Sequence, residues 1–253
     1  MSSLNVEERA ALQTAVVLKK HETGVSSVGF WGKVLGQEGD YLVVAVQRPT
    51  SQGVPTKEFF YCSESDFTLN ALPALTVAQT VLAESQSTAP FTGVADAPAP
   101  QADAGEGEEP LTELHRLAYA VTAIEADTAV VPAGAFVVDS EHTVSPNPLF
   151  VGLNVAAAAK LGSYLHLRAP KLAATKAALA KNSFVDAGAC LDSLASDTPT
   201  AAWSLQFNDP STVATLRSLQ WPGYAFSHTV GTSQFTSSYF GSGRPNTDLL
   251  FMV

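Results

Sequence analysis

Positive charge is scarce in this sequence. Lysine and arginine number 14 against 24 aspartates and glutamates, a formal net charge of −10 over 253 residues. A nucleic-acid backbone or an anionic membrane surface as main partner calls for clustered cations, and the acidic balance argues against both. Cysteine is nearly missing. Cys62 and Cys190 stand far apart with no Cys or His at metal-ligand spacing, which reads as two buried free thiols in a reducing compartment. Long apolar runs are missing too, since none reaches the roughly 18 residues that cross a bilayer. The first nine residues are polar and acidic rather than a secretory leader, so the expectation is a soluble intracellular protein. Charged residues make up only 15% and apolar ones 46%, so the chain as a whole can bury a core and is no acidic disordered tail.

Signatures of chemistry are equally sparse. Gly24 and Gly29 have the spacing of a phosphate loop, but Phe30 and Trp31 stand where a lysine and a hydroxyl are needed. Gly241-Ser242-Gly243 lacks the third glycine of a dinucleotide fingerprint and reads as a loop. No Gly-x-Ser-x-Gly elbow occurs, and neither cysteine sits in a protease signature. His21, His115, His142, His166 and His228 are scattered, and none forms the helical pair of a zinc site. Glu7-Glu8 belongs to a helix first turn and Glu108-Glu109 to an acidic loop. The expectation is a protein with no catalytic residues, no cofactor and no metal, although active sites without a local signature exist.

What is present is a pattern of elements. Asn5 with Glu8 makes a capping-box pair that opens an amphipathic helix carrying Leu12, Ala15 and Val16 on one face. Val28–Val34 and Tyr41–Val46 flank a Gly-containing turn and read as a hairpin, with Glu58–Cys62 as a third strand. The two-sided apolar character there predicts a sheet covered on both faces. Residues 84–110 hold four prolines and six acids without lysine or arginine, and read as a flexible acidic insert within a single domain spanning 1–253. Beyond it, Leu117–Ile124 and the segments at 130–132 and 135–138 read as hairpin strands. Leu153–Leu161 and Leu172–Ala180 read as helices. Trp203–Phe207 reads as a strand, followed by a short helix from the Asp209-Pro210 cap to Leu219. Tyr224–Thr229 and Phe235–Phe240 read as strands. The sum is an α+β fold built on an antiparallel sheet.

Several blocks are specific in combination. Phe30-Trp31-Gly32-Lys33-Val34-Leu35-Gly36 with Asp40-Tyr41 comes first, then Val131-Pro132-Ala133-Gly134-Ala135 and Tyr164-Leu165-His166-Leu167-Arg168-Ala169-Pro170. Trp203-Ser204-Leu205-Gln206, Leu216-Arg217-Ser218-Leu219, Trp221-Pro222-Gly223, Tyr239-Phe240-Gly241-Ser242-Gly243 and Asp248-Leu249-Leu250-Phe251-Met252 follow in order. In this order the chain resembles the radial spoke head family of motile cilia and flagella, with the length of its short branch rather than of spoke head proteins 4 and 6. It departs from the family pattern at Ala133 and Leu250. The resemblance implies a non-enzymatic subunit of the axonemal radial spoke head, bound to spoke head proteins 4 and 6. It also implies a head that touches the central pair apparatus transiently and relays mechanical signals to the dynein arms. A general cytosolic adaptor and a motif-free hydrolase are the alternatives. Trp221, Phe251, Tyr239 and Arg168 are the candidate interface residues, because aromatics and arginine anchor interfaces; Phe30 and Trp31 read as core.

Overall fold

The structure, a computed structural model, describes residues 4–25, 27–48, 50, 53–63, 66–100, 111–139, 141–181, 185–186, 190–208 and 212–251. Helix α1 (Val6–Thr23) begins as the capping box requires, with the Glu8 N–H donating to Asn5 and the Asn5 N–H to the Glu8 carboxylate, both at 2.7 Å. Strands β1 (Val28–Val34), β2 (Tyr41–Arg48), β3 (Thr56–Ser63) and β4 (Asn70–Ala71) follow as an antiparallel run. Helices α2 (Val77–Ser85) and α3 (Glu113–Thr128) come next. Short strands β5 (Val130–Pro132), β6 (Phe136–Val138), β7 (Val144–Pro146), β8 (Tyr164–His166) and β9 (Val185–Asp186) make two small sheets, interrupted by α4 (Val155–Ala158) and α5 (Ala173–Lys181). The chain closes with β10 (Trp203–Phe207), β11 (Val213–Ser218), β12 (Tyr224–Thr229) and β13 (Phe235–Gly241).

The main sheet has eight strands in the order β10-β11-β12-β13-β1-β2-β3-β4. All its pairings are antiparallel except that of β13 with β1, where the end of the fold meets its beginning in parallel. Gly32 makes this seam possible. A Cβ there would lie 2.5 Å from the Tyr239 carbonyl oxygen, so only a bare backbone fits. Gly223 serves the same end in the neighbouring loop: its φ of 107° suits glycine, and a Cβ would lie 2.3 Å from the Phe240 carbonyl. The fold is α+β with a mostly antiparallel sheet, as its alternating strand segments indicate.

One face of the sheet carries the main core. Trp31, Tyr41, Val43, Leu216, Phe226 and Tyr239 project from it against Leu117, Val121 and Ile124 of α3. The opposite face is covered over β1 to β3 by α1, whose Leu12 packs on Val28, Leu42, Val44, Val46, Phe60 and Cys62. β2 is therefore apolar on both sides, the expected signature of a doubly covered strand. Both cysteines are free and buried, and burial raises the Cys62 thiol to about 11.

Several expectations are corrected. Leu117–Ile124 is helix, not strand: Leu117, Val121 and Ile124 follow the i, i+4, i+7 spacing of one helical face, which outweighs the apparent alternation with Tyr119. The 130–132 and 135–138 segments do not pair with each other. Pro132 has no N–H to give a hairpin partner, and Gly134, at φ 84°, redirects the chain, so β5 pairs with β8 and β6 with β7 and β9. Leu216 to Ser218 lie in a strand rather than in a helix: Ala214, Leu216 and Ser218 are buried at a period of two. The proposed cap of that helix, Asp209-Pro210, lies outside the described residues. The helix expected over 153–161 shortens to α4 and a 3-10 turn at Leu161–Ser163. Within 84–110, residues 101–110 lie outside the described residues; over 86–100 buried Gln86, Phe91 and Ala99 are interspersed with exposed Thr88, Pro90, Val94, Asp96, Pro98 and Pro100. Phe91 enters the core, and the Gln37 and Glu38 N–H groups donate to the carbonyls of Phe91 and Thr92 at 3.0 and 2.7 Å.

Candidate functional site

The polar residues of the sequence blocks fall into two buried networks and one open cleft. The first network lies beneath α1. Lys33 is held at 2.7 Å by Glu8 and at 2.7 Å by Asp40, with the lysine and glutamate nearly inaccessible. A buried ammonium is tolerable only with such partners. The Asp40 side chain also accepts from the Gly36 N–H at 3.0 Å, so the lysine and the acid of the first block tie the β1–β2 turn to α1.

The second network lies on the core side. The Tyr41 hydroxyl donates to Glu113 at 2.7 Å, and the same carboxylate accepts from the N–H groups of Thr92 and Gly93 at 2.8 and 2.7 Å. Burial alone would raise the Glu113 carboxyl; these donors outweigh it and hold it below the ordinary carboxylate range. Burial and the Glu113 charge push the Tyr41 hydroxyl far above its usual value. Nearby, the Trp31 indole donates to Glu125 at 2.8 Å, and Lys57 pairs with the same carboxylate.

The cleft has a volume of about 270 Å³ and opens where β8, the start of α5 and the β10 to β12 end of the sheet meet. His166 places Nε2 2.9 Å from both oxygens of Asp197, which also accepts from the Trp203 indole at 2.7 Å. Arg168 donates to Asp192 at 3.1 Å. Asp192 further accepts from the Lys171 N–H at 2.6 Å and the Thr175 hydroxyl at 2.6 Å, so an acid distant in sequence caps α5. Asp127 collects the Trp221 indole at 3.1 Å, the Gln220 amide at 3.3 Å and the Lys171 ammonium at 3.2 Å. Burial works against ionisation of Asp192 and Asp197, yet the hydrogen bonds and Arg168 keep both below the normal range.

Chemically this arrangement is a clamp. Asp192 and Asp197 are held in the ionised form, and all three acids are already engaged by fixed donors. The end of α3 and two loops that share no local sequence with it are drawn onto the end of the sheet. Among the described residues no group of three or more His, Cys, Asp or Glu side chains comes together in a way that could hold a metal ion, and no helix is long and apolar enough to cross a membrane.

The four residues singled out from the sequence are separated by the fold. Trp221 is 4% exposed, with its indole engaged by Asp127. Tyr239 is 1% exposed, stacked 5.5 Å from Trp31 and accepting from the Gly243 N–H at 2.8 Å; burial raises its hydroxyl to about 12. Both are anchors of the chain's own core. Arg168 lines the cleft with most of its side chain covered. Phe251 is 88% exposed and is the one of the four that a neighbour can reach freely. Trp31 is core as expected, whereas Phe30 is only partly buried, with its ring 5.8 Å from Phe240 on the α1 side of the sheet. Asp127, Asp192 and Asp197 have no counterpart in the sequence expectations. Asp127 stands in the last turn of α3 and the other two in loops, separated from their partners by intervals such as 24, 31 and 94 positions, and no local pattern marks them.

Comparison with known proteins gives a coherent result. No family model matches the chain. The "Radial spoke head protein 9 homolog" of Danio rerio is 35% identical over 267 residues, covering 99% of this chain and 94% of that protein. The proteins of the same name from Homo sapiens and Bos taurus are each 30% identical over 264 residues, covering 99% of this chain and 93% of theirs.

Proposed function

The chain belongs to the radial spoke head protein 9 family, and we propose that it is a non-enzymatic structural subunit of the radial spoke head in the axoneme of a cilium or flagellum. The observation that carries this reading is the identity of 30–35% sustained over 99% of the chain. A likeness of that extent includes the scaffold and the surface alike. The finer part of the proposal concerns assembly. The subunit binds neighbouring head subunits, spoke head proteins 4 and 6 among them, and the assembled head relays mechanical signals from the central pair to the dynein arms. The geometry supports a load-bearing part: the sheet joins first strand to last, and buried ion pairs tie helices and loops to it at both ends.

The acidic balance has a place in the same proposal. A surface of net charge −10 favours brief contact of the head with the central apparatus over adhesion. The test is localisation and assembly together. A tagged copy is expected in the axoneme, co-extracted with the spokes and lost from them when other head subunits are absent. A diffuse cytosolic signal, indifferent to those subunits, would remove the reading in favour of a general adaptor.

A further inference from the structure

The α1 side of the main sheet is covered over half its width only. The cluster beneath α1 draws on β1, β2 and β3. The pairing register carries the same face onward through Phe240 and Ser238 of β13, Ala225 and Ser227 of β12, Thr215 and Arg217 of β11, and Ser204 of β10. These positions are partly or fully exposed, while their neighbours in sequence, such as Leu216, Phe226 and Tyr239, are buried on the other side. Among the described residues no second layer covers this half-sheet, whose floor is mostly short hydroxyl and methyl side chains.

Its charge is unlike that of the rest of the molecule. Among the described residues no aspartate or glutamate stands at the outward strand positions of this face. Lysine is missing from it as well. Among the described residues the single charge on it is Arg217, exposed, which forms no ion pair or hydrogen bond with them. At one margin the partly exposed rings of Phe30 and Phe240 lie against each other. Depletion of lysine and acids around an arginine and aromatic rings is the composition of an interface centre. The arginine belongs to the Leu216-Arg217-Ser218-Leu219 block, and the fold gives its guanidinium no task.

We propose that this bare half-sheet is the seat of a segment from a different polypeptide, one that brings a carboxylate to Arg217 and apolar side chains to Phe30 and Phe240. The proposal rests on the reading of the chain as an assembly subunit. A second copy of the same chain does not fit. A self-complementary contact must answer each charge of the patch from the same patch, and among the described residues this one offers no acid. The size also selects the occupant. Four strands spaced ~4.8 Å apart and about six residues long make a floor of about 400 Å². That is roughly half of the ~800 Å² that a standard globular interface covers on each side. A single helix or strand fills it, while a whole domain face would overhang it. Guanidinium and carboxylate would pair in the forked, bidentate way that such a planar cation favours.

The test uses the intact assembly. Variants carrying a photo-crosslinking residue at Ser227 or Thr215, with Gln13 on the exposed side of α1 as reference, are expressed in ciliated cells lacking the native protein. Adducts are then mapped in isolated spokes. The expected result is an adduct from Ser227 and Thr215 on one Asp- or Glu-bearing segment of another spoke subunit. Adding Arg217→Glu should cut its yield at least about tenfold, and Arg217→Lys by less than about threefold. Melting curves of the purified variants should coincide, because Arg217 supports nothing inside the fold. The inference is overturned if the protein resides in spokes but Ser227 and Thr215 give no adduct. Adducts only on a second copy, or a yield indifferent to Arg217→Glu, would overturn it equally. Absence of the protein from spokes altogether would instead fell the parent reading, and this proposal with it.

Discussion

The two halves of the main sheet differ in how many faces they cover. β1 to β3 are sandwiched, with the core on one side and α1 on the other; β10 to β13 have the core on one side and an open floor on the other. The sequence of each half follows from this. Tyr41–Val46 is apolar almost without interruption, and the polar groups within the sandwiched half are locked in pairs such as Lys33 with Glu8. In β11 and β12 of the open half buried and more exposed positions alternate strictly, Leu216 and Phe226 inward, Thr215 and Ser227 outward. The lesson is that tolerance to substitution should differ between the halves, position by position, although they share one hydrogen-bonded sheet.

The largest effect is expected where the sandwich hides a charge. Lys33→Ala strips the buried Glu8 carboxylate of its ammonium partner, and should cost about 3–5 kcal/mol in urea unfolding. If it costs no more than an exposed lysine, the two-sided burial assigned to this half is wrong. Next comes the seam between the halves. Gly32→Ala forces a Cβ against the Tyr239 backbone, and a loss of about 1–3 kcal/mol with unchanged secondary structure is expected by circular dichroism. Tyr41→Phe removes one of the donors to Glu113, and about 1–3 kcal/mol should disappear near neutral pH. Because Glu113 titrates below its free value, its contribution is complete above the unfolded value of ~4.3. It is lost as pH falls further through the depressed folded value.

A pH profile separates the halves more gently. His228, on the inward side of β12, accepts from the Leu153 N–H at 3.2 Å, and burial lowers its value. The unfolded chain therefore takes up this proton first. The stability held by neutral His228 is full above pH ~6.5 and declines as pH falls from there toward the lower folded value. Replacement by Gln should flatten the stability curve in that window, before Glu113, Asp192 and Asp197 begin to titrate. The smallest effect belongs to the open floor, where Thr215→Ala and Ser227→Ala should each change stability by less than about 0.5 kcal/mol.

Much of this fold is legible from local chemistry. The capping box at Asn5 and Glu8, the β1–β2 hairpin and the strand at Trp203–Phe207 can all be read from the residues within them. The errors share one cause. At Leu117–Ile124 and Leu216–Leu219 the local pattern admits two periods, and the choice is made by which surface the segment meets, α3 against the sheet and β11 within it. The cleft is less legible still. His166 and Trp203 belong to recognisable blocks, but their common partner Asp197 stands alone in a loop with no pattern of its own. Trp221 and Tyr239 show the converse: aromatic content marks them as anchors, and only the fold tells that what they anchor is the chain itself.

The parallel pairing of β1 with β13 has a consequence for how the protein comes into being. During translation, β1 leaves the ribosome some two hundred residues before the strand that will cover its outer edge. Until residues 235–241 are made, the hairpin of β1 and β2 presents a naked hydrogen-bonding margin, the kind that recruits other chains. A message cut short anywhere before that point would yield no smaller version of the subunit. It would yield a half-sheet unable to close, a substrate for chaperones and proteases rather than for an axoneme. The last strand thus acts as a proof of completeness, admitting to assembly only chains translated through it.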